Sequence, residues 1–269
     1  MIKRKSNSVS LWFFESLLGY GEIKHFISSR TGGSSFRPWD SLNLSFNTLD
    51  DAKAVLDNRQ HLSEALQIPL TSITTAKQVH GRHVRILSRS LKGRGACDYH
   101  SAINSTDALV TDEPGICPVV LLADCVPILM YDPSKRVVGV VHAGWKGTLG
   151  TISQKTVGVF RKDFGSMPEE IIACIGPSIG PCCFQVGHEV ITQIENAFGT
   201  KEGYITKKSQ NGGYFNLWKA NQEQLIRAGL LERNIESARI CTAHNTDQFF
   251  SHRGEKGKTG RFAAGILIC

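Results

Sequence analysis

Three residues of this chain pair metal-binding or nucleophilic side chains with positions where a strand ends or breaks. His142 closes the β-branched run Val137 to Val141, just ahead of the turn region that holds Gly144 and Gly147. His80 precedes Gly81 at a bend, between the polar lead-in TAKQV and the alternating strand HVRIL; His83, within that strand, need not share its direction. Cys125 follows Asp124 between two apolar runs, Val119 to Ala123 and Val126 to Tyr131. Pro127 cannot donate to a central ladder, so a break or bulge is expected there. The three are separated by 45 and 17 residues. Two imidazoles and a thiolate suit zinc, and three protein ligands with an open fourth position describe a catalytic site. Each residue also has a plainer reading, as a hydrogen-bonded structural histidine or a buried inert cysteine. Two other readings stay open on these residues alone: a thiol hydrolase with Cys125 as nucleophile and a histidine as base, and a non-catalytic metal or anion site.

The elements that must position them alternate between strand and helix. A strand near His25 runs into the Gly32-Gly33 turn and a loop to Leu44, which reads as a wide surface loop or as one wall of a pocket. A helix follows to about Gln67, capped by Asp50 or Asp51, with Ala52, Val55, Leu62 and Leu66 as its inward stripe. Arg59 falls on that stripe. A guanidinium facing a core is costly unless it is paired, snorkels at the helix edge or reaches a cavity, so Arg59 is either a structural partner or an anion contact. Further helices are expected from about Thr148 to Phe164, over 188–198 and over 217–230, the last capped by Asn216. A strand is expected around Ile240, and FAAGILI closes the chain as a buried strand. Cys182 and Cys183, in the turn-rich CIGPSIGPCCFQVG, read as packing residues rather than ligands.

The 269 residues carry a formal charge of +7, but the basic residues are scattered, and short clusters such as Lys3 to Lys5 read as solvated surface rather than a nucleic-acid interface. The opening MIKRKSNSVSLWFF lacks the sustained apolar region of a secretion signal, and no apolar stretch approaches a membrane span. The eight cysteines are therefore expected as intracellular thiols in a cytoplasmic protein. With no repeat or low-complexity linker, a single domain over 1–269 is expected.

The succession QVHG, then ADC with proline two residues on, HAGWKG, IGPSIGPCCFQVG, FFSHR and TGR resembles the YfiH/DUF152 family, also called laccase-domain or polyphenol oxidase proteins and purine nucleoside phosphorylases. The earlier SRTGG, SLNL and DNR elements fit as well, so the resemblance runs from about residue 29 to 269. It implies an α/β (α+β) fold, a layered sandwich of mixed sheets flanked by helices, as in the catalytic domain of cytotoxic necrotising factor. It implies that His80, Cys125 and His142 are the Zn2+ ligands and the catalytic residues; Arg59, from its place on the helix stripe, and Gln78 and Lys146, beside His80 and His142, are the expected substrate contacts. The family's HAGW more often continues with arginine; Lys146 supplies a point charge where a fork would stand. The implied activities are phosphorolysis of adenosine, inosine, guanosine and methylthioadenosine, and deamination of adenosine. The expected partners are purine nucleosides and phosphate, with no nucleic acid and no membrane, acting on a monomer. Four-copper laccase chemistry conflicts with the sequence: it needs paired His-x-His ligands, and none occurs among the nine histidines. Copper is expected only as an adventitious occupant.

Overall fold

The computed structural model describes residues 1–199, 203–209 and 212–269, with the side chains of residues 207–209 outside that description. Among the described residues there are two six-stranded sheets and one of three strands. The first large sheet runs Ile2–Ser6, Val9–Phe13, Ile23–Ser28, Phe262–Ile268, Cys117–Leu122, Ile73–Thr75. The second runs Ile235–Ser237, Ile172–Ile175, Val126–Asp132, Val137–Ala143, Ala108–Thr111, Val84–Ile86. Both mix parallel and antiparallel pairs.

Side-chain alternation explains why the central strands read as unbroken apolar runs, since both of their faces are buried. Val126, Ile128 and Met130 pack in one core with Val157 and Phe160 of the helix Ile152–Phe164 and Leu225 of the helix Leu217–Arg227. Their neighbours Leu129 and Tyr131 turn the other way, onto Val120, Phe262 and Ile266 of the first sheet. The far face of that sheet, with Cys117, Val119 and Leu267, is covered by Leu62 and Leu66 of the helix Ala52–Leu66. The result is four layers, helix, sheet, sheet and helices, which is the layered sandwich expected.

Three local expectations are refined. The polar pair Asp124-Cys125 does not bulge one strand: the chain leaves the first sheet at Leu122 and enters the second at Val126. Pro127 is tolerated inside the second strand, opposite His142, near the strand's first residue. The expected helix from Thr148 is two helices, Trp145–Leu149 and Ile152–Phe164, separated where Thr151 takes a left-handed φ of 61°. The strand expected around Ile240 lies earlier, at Ile235–Ser237, and Cys241 continues it only as an isolated bridge to Ser178. The helix Ala52–Leu66 forms as expected, with Asp51 accepting from the Lys53 N–H at 3.1 Å, although Ala52 itself is exposed. Among the described residues no helix is long and apolar enough to cross a membrane.

Candidate metal centre and its cavity

The site is built around the strand Val137–Ala143 and its neighbour Ala108–Thr111. Asp107 stands immediately before the latter, fully buried, and its backbone carbonyl accepts the N–H of His142 at 2.7 Å. Its carboxylate oxygen Oδ1 lies 2.8 Å from Nδ1 of His142. The same carboxylate accepts backbone N–H bonds from Val79 (3.3 Å), His80 (3.0 Å) and Gly81 (2.8 Å). These bonds hold the tight turn in which His80 takes a left-handed φ of 57°. Burial works against a charge on Asp107, but His142 and the N–H groups outweigh it and hold the carboxyl below its usual range.

With Nδ1 of His142 committed to Asp107, its Nε2 is left for the centre. There the ligand atoms of His80, Cys125 and His142 lie within 4.8 Å of one another. The two imidazole rings meet edge to face, with centroids 4.8 Å apart. Burial pushes the Cys125 thiol up, but the neighbouring His142 and His80 reverse this and favour the thiolate. Burial likewise disfavours charge on His142, and the Cys125 sulfur and the Asp107 carboxylate overcome it, raising the imidazole. Two imidazoles and a thiolate-prone sulfur, one histidine anchored by a carboxylate, form a donor set that fits zinc.

The glycines of HAGWKG are required by close approach. A Cβ on Gly144 would sit 3.0 Å from Cδ2 of His80 and 3.2 Å from the Cys125 sulfur. One on Gly147 would meet the Gly81 carbonyl at 2.7 Å. The helix Trp145–Leu149 can therefore lie directly against the turn that carries His80.

The centre opens into a cavity of about 430 Å³, large enough for a small organic ligand. Its lining combines aromatic rings (Phe46, Tyr99, Trp145, Phe184) with cationic side chains (Arg59, Arg253, Arg261) and His252. Of the three residues expected to contact substrate, Arg59 and Gln78 line this cavity. Lys146 is exposed and lies over the Trp145 ring, 5.5 Å from its centroid, while Trp145 itself faces the cavity. Arg59 is buried. Its Nε donates to the Leu44 carbonyl at 2.8 Å, its Nη1 to those of Gly95 and Ala96, and its guanidinium stacks on Phe46. Gln78 is tied across its amide to the backbone of Leu121, donating at 2.9 Å and accepting at 2.8 Å.

Asp124, the neighbour of Cys125, does not orient a ligand. Its carboxylate accepts from Thr242 Oγ1 and Ser251 Oγ, both at 2.7 Å, and from the Arg253 N–H at 2.6 Å. It pins the C-terminal loop that carries His252 and Arg253 to the cavity. The orienting carboxylate, Asp107, escaped the sequence reading, as did Arg253 and Arg261. An acid at the start of a fully buried strand, in STDALVT, was the available signal for Asp107.

The model of the family described as multi-copper polyphenol oxidoreductase laccase matches residues 24–269. A purine nucleoside phosphorylase of Bacteroides thetaiotaomicron is 35% identical, over 95% of each chain. The purine nucleoside phosphorylase YlmD of Geobacillus stearothermophilus is 36% identical over 89% of this chain and 88% of its own. Its crystal structure superposes with a TM-score of 0.93, covering 98% of this chain and 97% of that one. The adenosine deaminase RL5, from an unknown prokaryotic organism, is 31% identical over 91% of this chain and 93% of its own.

Proposed function

Because the chain belongs to the multi-copper polyphenol oxidoreductase laccase family, whose members similar to it include purine nucleoside phosphorylases and an adenosine deaminase, we propose that it is a zinc-dependent purine nucleoside phosphorylase that also deaminates adenosine. One observation carries this reading: His80, Cys125 and His142 converge in the wall of a cavity that is also lined by aromatic rings and arginines. These three residues would hold zinc, which would supply a Lewis acid and bring the pKa of water toward neutrality. Laccase chemistry is disfavoured despite the family's name, because three ligands including one sulfur suit a single ion.

The residues divide the work. The rings of Phe46, Tyr99, Trp145 and Phe184 supply the stacking faces a purine needs, and Arg253 and Arg261 the positive charge for phosphate. Arg59 contributes to the substrate wall chiefly by shape, since its donors tie residues 44 and 95–96 into one surface. Gln78 fixes the opposite wall through Leu121. Lys146 would act at longer range. In phosphorolysis a phosphate oxygen bonds the anomeric carbon as the bond to the purine nitrogen breaks, and the departing base takes up a proton. In deamination water adds to the amine-bearing carbon and ammonia leaves. Orienting the phosphate and excluding bulk water fall to the arginines and the aromatic lining.

Adenosine, inosine, guanosine and methylthioadenosine, each with and without phosphate, test this on protein of measured zinc content. Adenine and ribose-1-phosphate should form only with phosphate, and inosine should form from adenosine in its absence. His80→Ala should abolish both. Zinc-loaded protein with neither activity would favour a metal-binding role.

One observation favours a second reading. Cys125, His142 and Asp107 stand in the order of a thiol, base and carboxylate triad, with the Cys125 sulfur pulled toward thiolate. A hydrolase of that kind would keep its activity in strong chelator, whereas the zinc enzyme would stop.

A further inference from the structure

Away from the cavity, four more soft-metal donors converge. Cys182 and Cys183 lie in the turn after the strand Ile172–Ile175; Cys241 and His244 lie in the loop after Ile235–Ser237. Those two strands pair in parallel, and the bridge between Ser178 and Cys241 prolongs the pairing beyond the sheet edge. Both segments are thus held side by side by the backbone. The ligand atoms of all four residues lie within 4.8 Å of one another. The Cys183 sulfur is 3.1 Å from Nε2 of His244, and the Cys182 sulfur 3.6 Å from its Nδ1. Zinc–sulfur bonds of about 2.3 Å and zinc–nitrogen bonds of about 2.0 Å set tetrahedral donor separations at roughly 3.5–3.8 Å, so small side-chain rotations bring the four donors to the spacing of one coordination sphere. This overturns the expectation that Cys182 and Cys183 are packing residues; the four donors come from two segments without a paired CxxC pattern, so the cluster has no local signature.

We propose that Cys182, Cys183, Cys241 and His244 form a second metal site, a closed Cys3His set for zinc, which fastens one wall of the cavity. Two features support a ligand there beyond the donor count. Cys241 already accepts an N–H bond from Gly180 at 3.3 Å, the kind of outer contact that steadies a thiolate ligand. Gly180 itself leaves room for the cluster: a Cβ there would lie 3.1 Å from the Cys182 sulfur and 2.7 Å from the Trp218 ring. Three thiolates around a divalent ion carry one net negative charge, and Arg239 lines the same surface hollow as Cys182, Cys241 and His244. Cys182 and His244 are exposed, which gives an ion a path in.

The site would act on the cavity through the backbone. Arg253 donates to the carbonyls of Cys183 and Gln185, each at 3.1 Å, and Phe184 between them lines the cavity. On the other segment, Thr242 follows Cys241 and reaches Asp124, next to Cys125. An ion joining the two segments holds Phe184 and Arg253 in register. This role is independent of what the cavity binds.

Full-length protein loaded with zinc under reductant and dialysed should carry about two ions per chain. Cys125→Ala should carry one, and so should the surface variant Cys182→Ser/His244→Asn. Combining the three changes should leave none. Cobalt added to Cys125→Ala should give the intense sulfur-to-metal charge-transfer absorption of a multi-thiolate tetrahedral site. Either of two results would overturn the proposal. One is a Cys125→Ala protein that is folded by circular dichroism yet binds neither zinc nor cobalt. The other is six titratable thiols instead of eight in the reductant-free denatured chain, rising to seven in Cys183→Ser, which would make the cluster a disulfide pair.

Discussion

Oδ1 of Asp107 lies 2.8 Å from Nδ1 of His142 and accepts the backbone N–H of His80 at 3.0 Å, so one carboxylate oxygen is shared by both histidines of the cavity centre. The strand that carries His142 and the turn that carries His80 are far apart in sequence, and Asp107 is their common anchor. It fixes the ring of one histidine and the backbone of the other. Outer partners of this kind orient metal ligands and tune the affinity of the set.

Asp107→Asn tests that anchor. The amide keeps one acceptor oxygen but places an NH2 group where backbone N–H groups point, so either His142 or the turn at Val79–Gly81 loses its partner. Zinc affinity at the cavity should fall about 10–100-fold, read by competition with a chromophoric chelator. An unchanged affinity would show that the carboxylate does not position the ligands.

Gly144→Ala tests the packing of the centre. The added methyl must displace the His80 ring or the Cys125 sulfur, which lie 3.0 and 3.2 Å from its position. Gly144 has an extended φ of −68°, so the backbone tolerates alanine and the effect is steric. The variant should fold with a thermal midpoint close to wild type and lose zinc affinity at this site. A variant with native zinc affinity would mean that the ligands have room to spare.

Much of this arrangement was legible in the sequence. Val137–Val141, Val126–Tyr131 and FAAGILI announced strands buried on both faces, and Asp51 and Asn216 marked helix starts that the structure keeps. His80, Cys125 and His142 each interrupt such a pattern, but among nine histidines and eight cysteines it is the family resemblance that singles them out. Contacts between distant segments were not legible. Nothing local says that Asp124 reaches Thr242 and Ser251, or that Cys182 meets His244, because neither pair shares an element or a period. Arg59 lies between these cases. Its place on an apolar stripe signalled a special environment, but the partners that satisfy it are backbone carbonyls, which carry no residue code.

Arg59→Met removes the guanidinium while keeping much of its volume. The carbonyls of Leu44, Gly95 and Ala96 then lose their buried donor. Burial already brings the Arg59 pKa down to about 10, so the group is charged at neutral pH and its bonds are charge-assisted. Urea unfolding should show a loss of about 2–4 kcal/mol. Substrate affinity measured on the folded fraction should weaken only modestly. A variant with full stability but a large loss of phosphate affinity would make Arg59 a direct anion contact instead.

A pH-dependent contribution to stability arises away from both the cavity and the cysteine cluster. His25 is buried in the strand Ile23–Ser28, and its Nε2 accepts the Phe14 N–H at 2.9 Å. That bond requires a neutral ring at Nε2. Burial drives the His25 pKa down from 6.5 to about 4, against a smaller opposing pull from Glu236. The folded pKa lies below the unfolded one, so the stabilisation from neutral His25 is complete above pH 6.5. It is lost as pH falls from 6.5 toward 4, because the unfolded chain takes up a proton that the folded chain refuses. The loss can reach roughly 3 kcal/mol, at about 1.4 kcal/mol for each unit between the two values. His25→Gln keeps an acceptor for Phe14 without titrating. Wild-type and variant stabilities, measured by denaturant unfolding at steps from pH 7.5 to 4, should therefore converge as the pH falls, the wild type having the steeper decline. Parallel curves across that window would mean that His25 is protonated in the folded protein after all.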